Sequence, residues 1–360
     1  MNAPDRADLW RRLSDVGLVE GELPASDVFT PWYVRTMLGA AGWIGALFLF
    51  GFIGIAFKFV IDSTTALLSV GALCCVGAYV LFRIARENVF ATQFGLAASL
   101  AGQVLFIFGL TKMLNHDSLT TYTMIFVFEA LLAALVPNFI HRVMTTWAAM
   151  FALSILLTRM GAGPLASALP AAGLAFIWLN ELRWAGQAAL WQPLGYGLAL
   201  GQVQMDASLL WRYGDLWLTR RSTDANWLYL HAPWIGRLVV AAILIGAVAW
   251  LMKREGVAVT SRLSITLLAV MLLVAALSLL APGLPTALLI VLLGFAAGNR
   301  VLLGLGYVAF AGFLVYYYYQ LEMTLLVKSI ILLGTGTLLL LARMALGRWF
   351  TPLAGERPHA

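Results

Sequence analysis

Long apolar runs recur along almost the whole chain, and this pattern limits the folds that the chain can adopt. A helix needs roughly 20 apolar residues to cross a bilayer core about 30 Å thick. Because backbone polar groups in lipid must be satisfied within the segment, continuous runs predict helices, not the alternating strands of a membrane barrel. The sequence predicts an all-α, polytopic transmembrane helix bundle of about 12 spans, near 38–57, 66–82, 94–110, 122–140, 144–160, 163–179, 190–210, 235–252, 263–281, 284–298, 301–319 and 325–341.

The overall composition excludes the main alternatives to a membrane protein. Hydrophobic residues make up 62% of the chain and charged residues 11%, whereas soluble proteins are about 45–50% apolar and about 25% charged. A soluble enzyme, a fibre and a disordered protein are therefore excluded. The net charge of +6 comes from single, scattered Lys and Arg residues, so we expect no nucleic acid among the partners.

The distribution of basic residues predicts the orientation in the membrane. With the N-terminus in the cytoplasm, 15 of the 23 Lys and Arg residues fall on the cytoplasmic side. Cytoplasmic loops are the ones enriched in these residues, so we predict that both termini are cytoplasmic and that the number of spans is even. The segment 284–298 is the weak point, since it is short and follows Pro282 and Pro285. A re-entrant segment there would break the parity.

The chain divides into three predicted regions. Residues 1–35 form a cytoplasmic N-terminal segment with a short amphipathic helix, in which Leu9, Leu13 and Val16 share one face. Its mixed charge is unlike a cleavable signal peptide. Residues 36–341 form the transmembrane domain, with two groups of six helices and an outer loop at 211–234. Residues 342–360 form a cytoplasmic tail.

Three polar residues lie inside predicted spans, where such side chains are costly and often functional. Glu129 lies near the middle of 122–140, Asp206 near the outer end of 190–210, and Gln103 within 94–110. A transporter could use the two carboxylates for proton or cation coupling. The alternative is structural: Glu129 is neutral or paired with a neighbouring helix, and Asp206 is interfacial.

The outer loop combines aromatic and basic residues. Four of the thirteen tryptophans fall in 211–234, together with Arg220, Arg221 and His231. An interfacial aromatic belt explains most of this pattern. The alternative is a ligand site, since paired arginines beside aromatic rings can hold a phosphate or an anionic lipid headgroup.

Glycine motifs in the spans predict close helix packing. The run Gly304–Ala309 matches G-x-G-x-x-A, but it lies inside an apolar run and not between a strand and a helix, so it does not indicate nucleotide binding. The same packing interpretation holds for Gly294-x-x-x-Gly298 and Gly197-x-x-x-Gly201. The sequence has no Walker A, H-E-x-x-H or G-x-S-x-G motif, and we predict no cofactor, no metal and no identifiable catalytic residue.

Several longer motifs carry a family resemblance over nearly the whole chain. They are Pro31–Arg35, Gly42-Trp43, Phe50–Phe52, Ala98–Gln103, Trp178–Trp184, Gly298–Gly304, Tyr316–Gln320 and Leu325–Ser329. In these the chain resembles the bacterial domain-of-unknown-function 4401 family. The resemblance implies a multi-pass inner-membrane protein of unassigned activity, with no catalytic residues to carry over. Similar proteins often accompany a second membrane protein and a protein with a G-D-Y motif, which implies an envelope complex.

Three functions follow as hypotheses. The first is a non-catalytic subunit or scaffold of an envelope complex in the bacterial inner membrane. The second is a secondary transporter coupled through Glu129. The third is an envelope enzyme that acts on a lipid-linked substrate through Arg220, Arg221 and His231 in the outer loop.

Overall fold

The computed structural model describes residues 3–17, 37–45, 58–85, 88–114, 118–210, 227–257 and 283–320, with a few single positions besides. Every regular element in these ranges is a helix, so the all-α prediction is confirmed for them. The helices are α1 (Ala3–Asp15), α2 (Lys58–Asp62), α3 (Thr64–Ile84), α4 (Val89–Leu114), α5 (Leu119–Leu135), α6 (Phe139–Arg159), α7 (Gly163–Leu179), α8 (Ala188–Leu210), α9 (Trp227–Arg254), α10 (Leu284–Ala296) and α11 (Arg300–Gln320). A 3-10 helix, Glu181–Gln187, joins α7 to α8.

Several of these helices are long and apolar enough to cross a membrane. They are α3, α4, α6 and the Trp234–Arg254 part of α9. A fifth span is formed if Gly163–Leu179 and Glu181–Ala207, which meet at a bend of 81°, count together. Four or five candidate spans among the described residues are typical of a membrane protein.

The described helices do not reach the predicted number of twelve spans. The apolar helices Leu119–Leu135, Leu284–Ala296 and Arg300–Tyr316 are shorter than the four candidates. At a rise of 1.5 Å per residue, the 13 residues of α10 cover only about 20 Å of the roughly 30 Å bilayer core. The predicted spans 263–281 and 325–341 lie almost entirely outside the described residues.

The predicted span 122–140 is wrong at its end, because α5 stops at Leu135. Pro137 disfavours a helical conformation of the residue before it, and Val136 is extended, with ψ of 118°. Asn138 then begins α6, since its side chain accepts a hydrogen bond from the backbone N–H of His141 at 3.0 Å. Hydropathy alone does not indicate this helix end, because the chain stays apolar on both sides of the proline.

The chain forms two compact units, residues 1–106 and 107–360. In the first unit, α3 and the first part of α4 cross at two facing glycines. A Cβ on Gly71 would lie 2.7 Å from the carbonyl oxygen of Gly102, and one on Gly102 would lie 2.7 Å from the Cβ of Cys74. Neither position has room for a side chain, so the two backbones touch directly.

The second unit is a helix bundle that also uses glycines for close approach. A Cβ on Gly197 of α8 would lie 2.8 Å from the carbonyl oxygen of Val143 on α6, and one on Gly201 would lie 2.9 Å from the side chain of Met150. A Cβ on Gly306 of α11 would lie 2.8 Å from the backbone nitrogen of Val291. The packing interpretation of these glycines is therefore confirmed.

Two glycines of the predicted packing motifs act differently. Gly298 has φ of +63°, so it provides the left-handed turn after α10. Among the described residues, nothing lies within 4 Å of a Cβ added to Gly298 or to Gly304. The described residues therefore show no packing contact at these two positions, since the motif fixes their spacing but not the direction in which they point.

Aliphatic side chains fill the middle of this bundle. The buried core is formed by residues of α7, α8, α9, α10 and α11, and its fully covered members are Ala171, Leu174, Ala199, Leu244, Leu289, Ile290, Leu293 and Leu302. A smaller apolar cluster of Ala287, Ala309 and Phe313 lies near the start of α10.

Candidate functional site

Glu129 lies on the buried face of α5. This face presents Thr121, Ile125, Glu129 and Ala133, one residue from each helical turn. The side chain of Glu129 is 0% exposed, and neither carboxylate oxygen has a hydrogen-bond partner among the described residues. Burying a polar group without a hydrogen-bond partner costs free energy. No hydrogen bond among the described residues offsets this cost for the carboxylate of Glu129.

The helix that follows α5 carries a polar stripe of its own. His141 and Thr145 of α6 are both 0% exposed and lie one turn apart. The Thr145 hydroxyl donates to the carbonyl oxygen of His141 at 2.9 Å. Glu129 lies six residues before the end of α5, and Thr145 six residues after the start of α6, so both lie about 9 Å from the connection between these helices. The two helices therefore bury polar side chains at a similar distance from the connection that joins them.

Asp206 belongs to a hydrogen-bonded cluster that joins α8 to α10. Its carboxylate accepts a hydrogen bond from the hydroxyl of Thr286. The side-chain Nε2 of Gln202, one turn earlier on α8, donates to the same hydroxyl oxygen at 3.3 Å. The exposed fractions are 6% for Asp206, 0% for Gln202 and 1% for Thr286. Asp206 is therefore buried between helices, and whether it lies at the membrane interface stays a prediction.

Arg237 of α9 adds a positive charge to this cluster. It interacts electrostatically with Asp206, and its guanidinium lies 5.2 Å from the ring centroid of Trp234. Neither Thr286 nor Arg237 was singled out from the sequence. Neither residue interrupts a sequence motif, and only tertiary packing, of α10 against α8 and of α9 against α7 and α10, brings them near Asp206.

Gln103 lies in the unit formed by residues 1–106 and is 5% exposed. Its Nε2 donates to the hydroxyl of Ser99, one turn earlier on α4, at 3.3 Å. The carbonyl oxygen of Ser99 accepts a bond from the thiol of Cys75 on α3 at 3.7 Å. Gln103 thus bonds to its own helix close to the contact between α3 and α4.

The outer-loop candidates are largely beyond what the structure describes. Arg220 and Arg221 lie outside the described residues, and His231 is placed only as part of the backbone of α9. The ligand and enzyme hypotheses for this loop stay predictions.

An aromatic groove at the bend between α7 and α8 was not predicted as a site. It is lined by Ile177, Trp178, Glu181, Trp184, Ala188, Trp191 and Gln192. The rings of Trp184 and Trp191 lie 4.6 Å apart between centroids, and Gln192 Nε2 donates to Glu181 Oε1 at 3.4 Å. Among the described residues, the indole nitrogens of Trp178 and Trp184 have no hydrogen-bond partner, so only Glu181 and Gln192 of this lining bond to each other.

Within the described residues, no three His, Cys, Asp or Glu side chains come together as metal ligands. The arrangement is that of an all-helical protein with several helices apolar enough to span a membrane and two buried carboxyl groups between its helices. The chain belongs to the family described as Domain of unknown function (DUF4401), whose model matches residues 31–349. No curated protein and no solved structure matches the chain.

Proposed function

We propose that the chain is a multi-pass protein of the bacterial inner membrane, with about 12 spans and both termini in the cytoplasm. The four or five long apolar helices support a chain that crosses a membrane. The number of spans rests on the apolar runs of the sequence, and the orientation rests on the excess of Lys and Arg on one side of them. Reporter fusions at Ala360 and near Thr223 test it. We expect signals from opposite compartments, and signals from the same compartment would overturn it.

We further propose that the protein is a non-catalytic subunit or scaffold of an envelope complex. The observation that carries this proposal is the filled middle of the bundle, where Leu174, Leu244 and Leu302 are all 0% exposed. Transporters hold substrate between helices near the bilayer midplane, whereas the described helices α7 to α11 pack aliphatic side chains between them. A tightly packed bundle suits a role in holding other proteins in the membrane.

Co-purification from native membranes tests the scaffold role. The tagged full chain should retain the companion membrane protein and the G-D-Y motif protein in fixed ratio, whereas a tagged, unrelated polytopic protein should retain neither. Elution of the chain without either companion, together with solute flux in reconstituted vesicles, would contradict the proposal.

A second function is favoured by one specific observation, the buried carboxyl of Glu129, which has no hydrogen-bond partner among the described residues. In a secondary transporter such a group binds and releases the coupling proton. Vesicles loaded with a pH-sensitive dye and containing the full chain would then acidify when a proton gradient is imposed. Glu129→Gln would abolish the signal, and Glu255→Gln at an exposed acid would keep it. A signal that is the same in Glu129→Gln as in the unmodified chain would remove this role.

A further inference from the structure

The aromatic groove at the bend between α7 and α8 contains a carboxylate that is only partly used. Side chains three positions apart eclipse each other in a 3-10 helix, so Glu181, Trp184 and Gln187 form one row of the helix Glu181–Gln187. Glu181 and Trp184 of this row line the groove. The Oε1 atom of Glu181 accepts a hydrogen bond from Gln192 Nε2 at 3.4 Å, whereas its Oε2 atom has no partner among the described residues.

The lining of the groove suits a cation. Trp178, Trp184 and Trp191 line it together with Glu181, and the rings of Trp184 and Trp191 lie 4.6 Å apart between centroids. Indole rings attract cations to their faces, and a carboxylate adds an opposite charge. Within the described ranges, no Lys or Arg forms an ion pair with Glu181. The groove therefore offers a negative charge among aromatic rings that no described cation neutralises.

The free space in the groove limits the size of that cation. It is about 10 Å³, about the least that holds one water molecule. A primary ammonium group is close to this size, and its N–H groups can donate a hydrogen bond to Oε2 of Glu181. A trimethylammonium group is larger by its methyl groups and has no N–H to donate. The groove therefore favours a primary over a quaternary ammonium.

An exposed apolar strip of α7 leads to the groove. Leu165, Leu169 and Phe176 lie about one and two turns apart and so share one side of the helix, and each is about half exposed. The ring of Phe176 lies 6.0 Å from that of Trp184 between centroids, so the strip is continuous with the groove. In a helix that crosses a membrane, such a strip faces acyl chains. A ligand that covers both the groove and the strip is an amphiphile.

Arg183 provides a positive charge next to the groove. Its guanidinium lies 5.6 Å from the ring centroid of Trp184, and its side chain is exposed. Glu181 and Arg183 lie two residues apart, about 4 Å along the axis of a 3-10 helix. Two opposite charges at this spacing complement a headgroup in which a short ethylene link joins an ammonium to a phosphate.

We propose that the groove binds a phospholipid whose headgroup carries a primary ammonium, such as phosphatidylethanolamine. The ammonium donates to Oε2 of Glu181 among the indole rings, the phosphate pairs with Arg183, and an acyl chain lies along the strip of α7. This inference rests on the proposal that the chain spans a membrane, because only then does the strip face acyl chains.

Thermal unfolding of the full chain in detergent tests the site, with phosphatidylethanolamine and phosphatidylcholine of identical acyl chains titrated separately. The two lipids differ only in the groups on the headgroup nitrogen. A ligand that binds only the folded state raises its stability with concentration. We expect a saturable rise of Tm with phosphatidylethanolamine and a half-saturating concentration about tenfold higher with phosphatidylcholine, because the charge-assisted hydrogen bond to Glu181 is lost. Glu181→Gln should remove this difference, and Glu255→Gln at an exposed acid should keep it.

The two lipids can overturn the proposal in the unmodified chain, whatever the stability of the variants. Equal half-saturating concentrations would show that the groove does not select the headgroup. A difference that persists in Glu181→Gln would place the headgroup elsewhere. A rise of Tm with free ethanolamine, at the concentrations at which the lipid acts, would show that an amine suffices and would contradict a lipid site.

Failure of the site is distinguishable from failure of the membrane topology. Release of the chain from native membranes by alkali, without detergent, would contradict the proposal that it spans the membrane. A chain that stays in alkali-washed membranes but does not distinguish the two lipids would contradict the lipid site alone.

Discussion

The hydroxyl of Thr286 donates a hydrogen bond to the carboxylate of Asp206, although 80 residues separate them in the chain. The bond crosses from the start of α10 to the last turns of α8. Apolar residues surround this end of the bundle, including Ala287 and Phe313. In such surroundings a polar group that loses its partner keeps the full cost of its removal from water, so this contact fixes which faces of α8 and α10 meet.

Removal of the Thr286 hydroxyl should therefore destabilise the bundle. Thr286→Val keeps the shape of the side chain but leaves Asp206 without this donor, and we expect a loss of about 1–3 kcal/mol. Thr123→Val is the matched control, since the exposed hydroxyl of Thr123 bonds only to the carbonyl oxygen of Leu119 in its own helix. Equal losses in thermal unfolding of the two variants would show that the contact between α8 and α10 contributes nothing.

The glycine crossing in the first unit should tolerate no side chain. Gly102→Ala would place a methyl group 2.7 Å from the Cβ of Cys74, and overpacking of this kind costs about 1–3 kcal/mol. Gly77→Ala in α3 is the control, because no described residue lies within 4 Å of its added Cβ. Alanine there should stabilise the helix by about 0.5–1 kcal/mol. Chemical denaturation in mixed micelles measures both changes, and the prediction is wrong if they have the same sign.

The start of α11 depends on Asn299. Its Oδ1 accepts bonds from the backbone N–H groups of Val301 and Leu302 and from the hydroxyl of Tyr196, the last at 2.9 Å. Tyr196→Phe should cost about 1 kcal/mol, the net value of one hydrogen bond.

Asn299→Ala should cost more than Tyr196→Phe, because it removes the helix cap as well, worth about 0.5–2 kcal/mol. Tyr307→Phe, at a residue that is 58% exposed, is the control for loss of a phenol. The unfolding midpoints of the three variants in a thermal melt test this order of stability. A Tyr196→Phe variant less stable than Asn299→Ala would contradict the prediction.

Glu129 should lower the stability of the fold. Replacement of a buried, unpartnered polar group by an apolar one of similar size removes a desolvation cost of about 1–3 kcal/mol, so Glu129→Met should melt at a higher temperature than the unmodified chain. Glu255→Met, at an exposed acid, should change stability by less than about 0.5 kcal/mol. A lower melting temperature for Glu129→Met would mean that Glu129 makes favourable contacts in the folded protein.

The sequence predicts which polar side chains lie inside apolar runs, but not which partners these side chains bond to in the fold. Glu129, Asp206 and Gln103 all interrupt apolar runs of the sequence, and all three are buried. Gln103 bonds within its own helix, Asp206 bonds to α10, and the carboxylate of Glu129 has no partner among the described residues. Local hydropathy indicates that burying each of these polar side chains is costly. Whether a hydrogen bond offsets that cost depends on the helix that packs against the side chain.

Helical structure and membrane character follow from the sequence alone, because both depend on local properties of the chain. These are the length of the apolar runs, the spacing of the glycines and the small number of charged residues between the runs. The end of α5 before Pro137 also has a local cause, although the apolar run alone places it too late, at residue 140. The cluster of Asp206, Gln202, Thr286 and Arg237 was decided by tertiary structure, since it needs three helices far apart in the chain to turn particular faces toward each other. Which face of a helix is buried depends on the packing of its many apolar side chains, and no single sequence motif predicts it.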